Sequence, residues 1–212
     1  MVSGWNAYIE ALPSEVELKT FEEKTTNEKF TWVINEFKPT KVSEVGCSNG
    51  RWLRHMQSIA NYDLSLHGLD IDPSGFLDKG INFTYGDAKE LPYRGEVFDI
   101  VISLGLLEHF EKHERAKIIA EQLRVTKKGG IIYNQIPNVS KVSIEMYRIK
   151  LVYEKMLHAE YHYFFNPREI GKNMKKKCEL IYEGYIGKFR DIEQLPTNRM
   201  MGPSYLCIGR KM

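Results

Sequence analysis

Residues Phe98 to Leu104 read FDIVISL, a nearly continuous apolar run. A strand with one wet face alternates apolar and polar residues. An unbroken run suits a strand covered on both faces, at the centre of a parallel sheet. The patterns on either side agree. Lys41–Val45 reads as a short strand; Trp52, Leu53, Met56, Ile59 and Ala60 make a helical stripe; residues 64–69 form the next strand, ending at Asp70; and Ile81–Tyr85 is a weaker one. Beyond the central run, Ala116, Ile119, Ala120 and Leu123 make another stripe. It stops at Lys127-Lys128-Gly129-Gly130, cations then glycine, as helix ends prefer. A strand follows over 130–136. This alternation predicts a three-layer α/β/α sandwich with a mostly parallel sheet.

The flanks are read in the same way. Ser14 with Glu17 has capping-box spacing, so a helix is expected to start there. Phe30, Val33, Ile34 and Phe37 share one helical face, which Pro39 ends. Val142, Met146, Ile149, Tyr153 and Met156 suggest a helix in an insertion. Asn166-Pro167-Arg168-Glu169 reads as a helix start, with Asn166 as cap, Glu169 reaching back, and Phe165 and Ile170 as a staple. Residues 180–186 and 205–209 look like closing strands, joined as a hairpin that puts one antiparallel strand at the sheet edge.

Charge and composition then narrow the function. The chain has 212 residues and a formal net charge of +2, too small to imply a nucleic-acid module by itself. No apolar run reaches the roughly 18 residues of a membrane helix, and the N-terminus lacks the regions of a secretory signal. The three cysteines, Cys47, Cys178 and Cys207, show neither metal spacing nor a disulfide framework. A reduced cytoplasmic setting is expected, with no Pro/Gly/Ser linker dividing the single domain.

In open parallel sheets ligands lie beyond the carboxyl ends of the strands. Four loops leave such ends here. Gly46-Cys47-Ser48-Asn49-Gly50 turns tightly into a helix whose free N–H groups can receive a small polar ligand end, although an ordinary β-to-α turn has the same look. Asp70 ends the second strand, twenty residues after Gly50, where an acid can take both hydroxyls of a ribose. Asp72, in Asp72-Pro73-Ser74-Gly75, reads as a turn residue. Gly86-Asp87-Ala88 offers a carboxylate to an exocyclic amine. Residues 103–110 follow the central strand and face the reacting group. A nicotinamide dehydrogenase is a poor fit, since Gly46 to Arg51 lacks the G-x-G-x-x-G spacing.

VSEVGCSNG, LHGLDID, YGDAKELPY, VFDIVISLGLLEHF and LRVTKKGGIIYNQIPN, in that order, resemble the motifs of class I S-adenosylmethionine-dependent methyltransferases, in the type 11 branch with the Leu-Glu-His signature. The resemblance runs from Lys41 to Pro137, and the closing strands extend it. It implies a Rossmann-like, seven-stranded, mostly parallel sheet with an antiparallel edge strand. A single domain over 1–212 is expected, with an N-terminal helical cap over 1–40 and a helical insertion over 138–165. It also implies roles. Glu44, Gly46, Cys47, Asn49 and Gly50 would form the cofactor loop, with Glu44 orienting it. Asp70 would bind the ribose, with Ile71 beside it. Asp87 and Ala88 would lie at the adenine, and Ser103 and Leu104 at the methionine side. One departure stands out: Ser48 occupies the place of the family's middle glycine.

The expected reaction is in-line methyl transfer, where positioning and desolvation do most of the work. His109 is the first candidate base and His162 the second; a structural histidine and an aromatic cap are the competing readings. His113 reads as a surface residue. The central strand does not end in the Asn/Asp-Pro-Pro-aromatic motif of amino-methylating nucleic-acid enzymes or in a Pro-Cys nucleophile. Asp99 lies at its start rather than its end, so no metal is expected. The Lys175-Lys176-Lys177 run reads as a solvated helix end. The aromatic-rich N-terminal segment and insertion suit a small organic acceptor, with no DNA, RNA or membrane partner. The alternatives are a protein or RNA methyltransferase docking through the insertion, and a non-catalytic cofactor-binding subunit, against which the intact motif set argues.

Overall fold

The apolar run lies in the middle of a seven-stranded sheet. The computed structural model describes residues 15–18, 21–72, 80–137, 165–186 and 204–212. In chain order the elements are α1 (Phe21–Phe37), β1 (Lys41–Val45), α2 (Arg51–Ile59), β2 (Ser65–Asp70), β3 (Ile81–Tyr85), β4 (Phe98–Leu104), a 3-10 turn (Leu107–His109), α3 (Lys112–Val125), β5 (Thr126–Pro137), α4 (Arg168–Met174), β6 (Cys178–Ile186) and β7 (Ser204–Lys211). The sheet order is β3-β2-β1-β4-β5-β7-β6. The first five strands pair in parallel. The antiparallel strand is β7, which lies one strand in from the edge, between β5 and the outermost β6.

Both faces of β4 are covered, which is why its sequence does not alternate. Ile100 and Ile102 pack with Phe30, Val33, Ile34, Leu53 and Met56 from α1 and α2. Val101 packs with Ile118, Ile119, Ile170 and Met174 from α3 and α4. Burying each such side chain contributes roughly 1.5–3 kcal/mol.

Four boundaries or faces differ from the sequence reading. The first described helix starts at Phe21, and residues 16–18 are not helical, with Leu18 at a φ of 51°. Helix α3 buries Arg115, Ile118, Ile119, Gln122 and Leu123, leaving Ala116 and Ala120 exposed. The reason is that two polar residues hold its inner face: Arg115 pairs with Glu169, and Gln122 pairs with Asn134 of β5. The Lys127–Gly130 stretch belongs to β5, which begins at Thr126 and bulges before Ile131. Gly130 is required there, because a Cβ would meet the Asp99 carbonyl oxygen at 2.8 Å. At α4, Asn166 does cap, accepting from the Arg168 N–H at 3.1 Å, but Glu169 reaches Arg115 at 3.1 Å instead of turning back. Residues 138–164, which include the expected insertion helix and His162, lie outside the described residues.

Asp99 stitches the start of the sheet. Its Oδ2 accepts from the Thr40 and Lys41 N–H groups at 3.0 and 2.8 Å and from the Thr40 hydroxyl at 2.8 Å. Its Oδ1 pairs with Lys127 Nζ at 2.6 Å. Burial alone would raise its pKa, but these contacts outweigh burial and bring it from 3.8 to about 2. A depressed carboxyl stabilises the fold above its unfolded pKa and loses that contribution as pH falls through the folded one. Asp99→Asn is therefore expected to cost about 1–2 kcal/mol at neutral pH, a difference that closes as pH approaches 2. Urea unfolding of the two proteins across that range measures it.

Candidate functional site

The loop after β1 turns back over β2. Gly46 and Cys47 both donate their N–H to the Leu69 carbonyl, at 2.8 and 3.0 Å. This fold-back needs left-handed backbone at three of the five loop residues: Gly46 at a φ of 76°, Ser48 at 47° and Gly50 at 71°. Ser48 therefore adopts the conformation that glycine takes without strain. Its Oγ is buried without a hydrogen-bond partner.

Asp70 closes the other side of the loop. Its Oδ2 accepts the Ser48 N–H at 2.8 Å and its Oδ1 the Asp72 N–H at 3.0 Å. Burial raises its pKa, partly offset by these backbone donors. Each carboxylate oxygen keeps capacity for a further donor. Ile71 is 62% exposed and Tyr85, paired opposite Asp70, is 67% exposed. Two large apolar side chains thus stand uncovered beside this acid. Gly86 donates to the Asp70 carbonyl at 3.0 Å, tying the third loop to the second. Asp87 turns that loop by accepting the Lys89 N–H at 2.8 Å, and Ala88 packs its methyl into the core.

Several loop residues face inward. Glu44 is 1% exposed, and its Oε2 has no hydrogen-bond partner. Burial pushes its pKa well above the ordinary carboxyl value, against the nearby Arg51 and Arg54. The Cys47 thiol lies against Gly68, where a Cβ would come within 2.7 Å of its sulfur, and burial pushes its pKa up. Asn49 turns the loop into α2, its Oδ1 accepting the Arg51 N–H at 3.1 Å. Its carbonyl accepts Arg54 Nη1 at 2.8 Å. Ser103 is fully buried and donates to Asn134 Oδ1 at 2.6 Å. Cys47, Asn49 and Ser103 thus spend their side chains on the scaffold. Leu104 is half-buried at the strand end, and Gly105 donates to the Gln135 carbonyl at 2.9 Å.

Leu106 and Arg115, which the sequence reading did not count as site residues, hold the fourth loop. Leu106 seals the glycine loop: a Cβ on Gly46 would meet its Cδ1 at 2.7 Å. The only sequence signal was its place in GLLEHF. Gly46→Ala is expected to cost about 2–4 kcal/mol, combining a left-handed alanine with overpacking. Adding Leu106→Ala should recover the packing share but not the backbone share, which denaturant midpoints of the three variants will separate. Arg115 donates from Nη1 to the Phe110 carbonyl and stacks at 3.7 Å over Phe165. His109 sits in the 3-10 turn between these anchors, its Nε2 3.9 Å from Oε1 of the buried Glu108. His113 is a surface residue, 79% exposed. Among the described residues no three His, Cys, Asp or Glu side chains gather as a metal site, and no helix is long and apolar enough to cross a membrane.

Residues 43–134 match the family model of a methyltransferase domain, type 11. Ajmaline N-methyltransferase from Rauvolfia serpentina is 32% identical over 108 residues, covering 46% of this chain and 36% of that protein. Probable tRNA methyltransferase 9B from Mus musculus is 32% identical over 104 residues, covering 46% and 22%. The chain thus spans about a third or less of the length of these relatives. The N-methyltransferase NodS from Bradyrhizobium japonicum, solved with S-adenosyl-L-homocysteine, shares the fold at a TM-score of 0.66, with 12% identity over 98% of this chain and 97% of NodS. The ordered motifs thus lie on the strand ends of this sheet, residues 43–134 match a type 11 methyltransferase domain, and the chain shares the fold of a methyltransferase solved with S-adenosyl-L-homocysteine.

Proposed function

We propose that the chain transfers the methyl group of S-adenosylmethionine to a small organic acceptor. The observation that carries this reading is the junction of the glycine loop with Asp70, flanked by the uncovered Ile71 and Tyr85. The residues fit the cofactor. Asp70 would take the ribose hydroxyls. Ile71 and the Asp87–Ala88 loop would flank the adenine. The loop from Gly46 to Gly50, with the unsatisfied Ser48 Oγ, would receive the amino-acid end. Glu44 orients that loop from beneath. Leu104 and the backbone of Ser103 would line the methionine side. When bound, the cofactor supplies an electrophilic methyl on a good leaving group, so positioning and exclusion of water carry most of the rate.

His109 is the proposed base when the attacking group must shed a proton, with the Glu108 carboxylate 3.9 Å from its Nε2. His162 is the second candidate. The proposed domain runs over 1–212 and includes a 138–165 insertion. A cytoplasmic setting accords with three buried, unpaired cysteines. The similarity to a tRNA methyltransferase favours a second reading, methyl transfer to RNA.

One experiment separates them. S-adenosylhomocysteine is titrated calorimetrically, and labelled methyl transfer is then followed to a panel of small amines, acids and phenols and to bulk tRNA. Micromolar binding with transfer to a small acceptor is the expected result. Transfer to tRNA alone would replace the acceptor class, and absence of binding would overturn the methyltransferase reading.

A further inference from the structure

Away from the glycine loop, a cleft of about 370 Å³ opens between α4 and the β6–β7 pair. Arg168, Lys172 and Lys175 line it, together with Glu183, Tyr185 and Tyr205. The three cations follow one another at intervals of four and three residues along α4 and its last turn, so they share one face. The single carboxylate among them is engaged. Glu183 Oε2 takes Lys175 Nζ at 3.3 Å, and its Oε1 accepts the Tyr205 hydroxyl. Arg168 and Lys172 have no carboxylate partner among the described residues. The rings of Tyr185 and Tyr205, 5.3 Å apart and nearly perpendicular, form an aromatic wall.

The cleft lies at the sheet edge where the candidate site sits. Ser204 pairs with Pro137, the end of β5, and with Ile186, the end of β6. Tyr205 and Tyr185 are therefore one residue inside the carboxyl edge of the parallel strands. β7 is three strands from β1, about 14 Å at the usual strand spacing, which a small acceptor can span.

We propose that this cleft binds the phosphate monoester group of a small ligand, which on the methyl-transfer reading above is the acceptor. The charge matches: among the described lining residues, three cations against one carboxylate leave an excess of two, and a phosphate monoester carries about −1.5 to −2 near neutral pH. Guanidinium and ammonium groups are the usual donors to such oxygens. A bounded cleft in a chain of net charge +2 favours a small ligand over a phosphodiester chain, which calls for an extended basic stripe.

The test titrates the isotopically labelled full chain with inorganic phosphate, with glycerol phosphate and, separately, with a single-stranded RNA, following the amide signals of Lys172, Gly184, Tyr185 and Tyr205. Expected are saturable shifts with both phosphate probes at millimolar affinity or tighter. In the Arg168→Gln/Lys172→Gln variant, which alters only exposed side chains, that affinity should fall about tenfold or more. S-adenosylhomocysteine binding should be unchanged in the variant. Shifts that fail to saturate, or that persist in the variant, would overturn the proposal. So would RNA binding that depends on these two residues without phosphate binding. Saturable, variant-sensitive phosphate binding by a wild-type chain that does not bind S-adenosylhomocysteine would keep the anion site and remove only the methyl-transfer reading.

Discussion

Asp70→Ala is expected to weaken S-adenosylhomocysteine binding about a hundredfold, by roughly 3 kcal/mol, while the chain stays folded. Two losses combine. The carboxylate would take two ribose hydroxyls as charge-assisted bonds, each worth about 1.5–3 kcal/mol. It also holds the Ser48 N–H, and with it the strained turn of the glycine loop. Asp70→Asn keeps an acceptor for one neighbour and should lose less, about tenfold. Because burial raises the pKa of Asp70, wild-type affinity should begin to fall on acidification at a higher pH than an ordinary aspartate would give. Calorimetry of the three proteins over a pH series tests all of this. Equal affinity of the alanine variant and wild type would sink the assignment of Asp70 to the cofactor.

Arg115→Met should have the largest effect on stability, a loss of about 3–5 kcal/mol. The side chain is 4% exposed, and its guanidinium is held on three sides. It pairs with Glu169 at 3.1 Å, donates to the Phe110 carbonyl and stacks on Phe165. Removing it strands a partly buried carboxylate and frees the loop that carries His109. If the stranded charge dominates, Arg115→Met/Glu169→Met should recover most of the loss, since a buried pair is often replaceable by apolar residues of similar size. A double-mutant cycle from urea unfolding measures this. A double variant no more stable than Arg115→Met would show that the loop anchor, and not the charge, carries the effect.

The sheet was legible because its strands are short, apolar and punctuated. β1, β3 and β4 begin and end where their residues suggest. Helix α3 was legible as a helix but not in its orientation or its end. Hydrophobic periodicity counted Ala116 and Ala120 as inner residues, whereas the inner face is set by Arg115 and Gln122, polar groups whose partners lie 54 and 12 residues away in sequence. No local pattern announces such pairs. The bulge in β5 was hidden for a related reason: cations before glycine read equally well as a helix end or as an exposed bulge. At the site, the motifs fall on the loops at the strand ends, where Asp70 is half-buried and Ile71 exposed. The loop motif could not say which side chains turn away. Cys47 lies under Gly68, Asn49 holds the turn into α2 through the Arg51 N–H, and Ser103 faces α3 because successive residues of a strand point to opposite faces.

The position of β7 also orders events during synthesis. β6 emerges from the ribosome before β7, its one sheet neighbour among the described strands, because β7 follows it in sequence and separates it from β5. Until residues 204–211 are made, one flank of the parallel sheet ends in a bare β5, and β6 has no ladder to join. The half built on β1 to β4 needs none of this and can assemble during translation. The half that carries the cationic cleft therefore waits for residues 204–211. A nascent chain stalled within β6 would present the unfinished edge of β5 to whatever strand it met first.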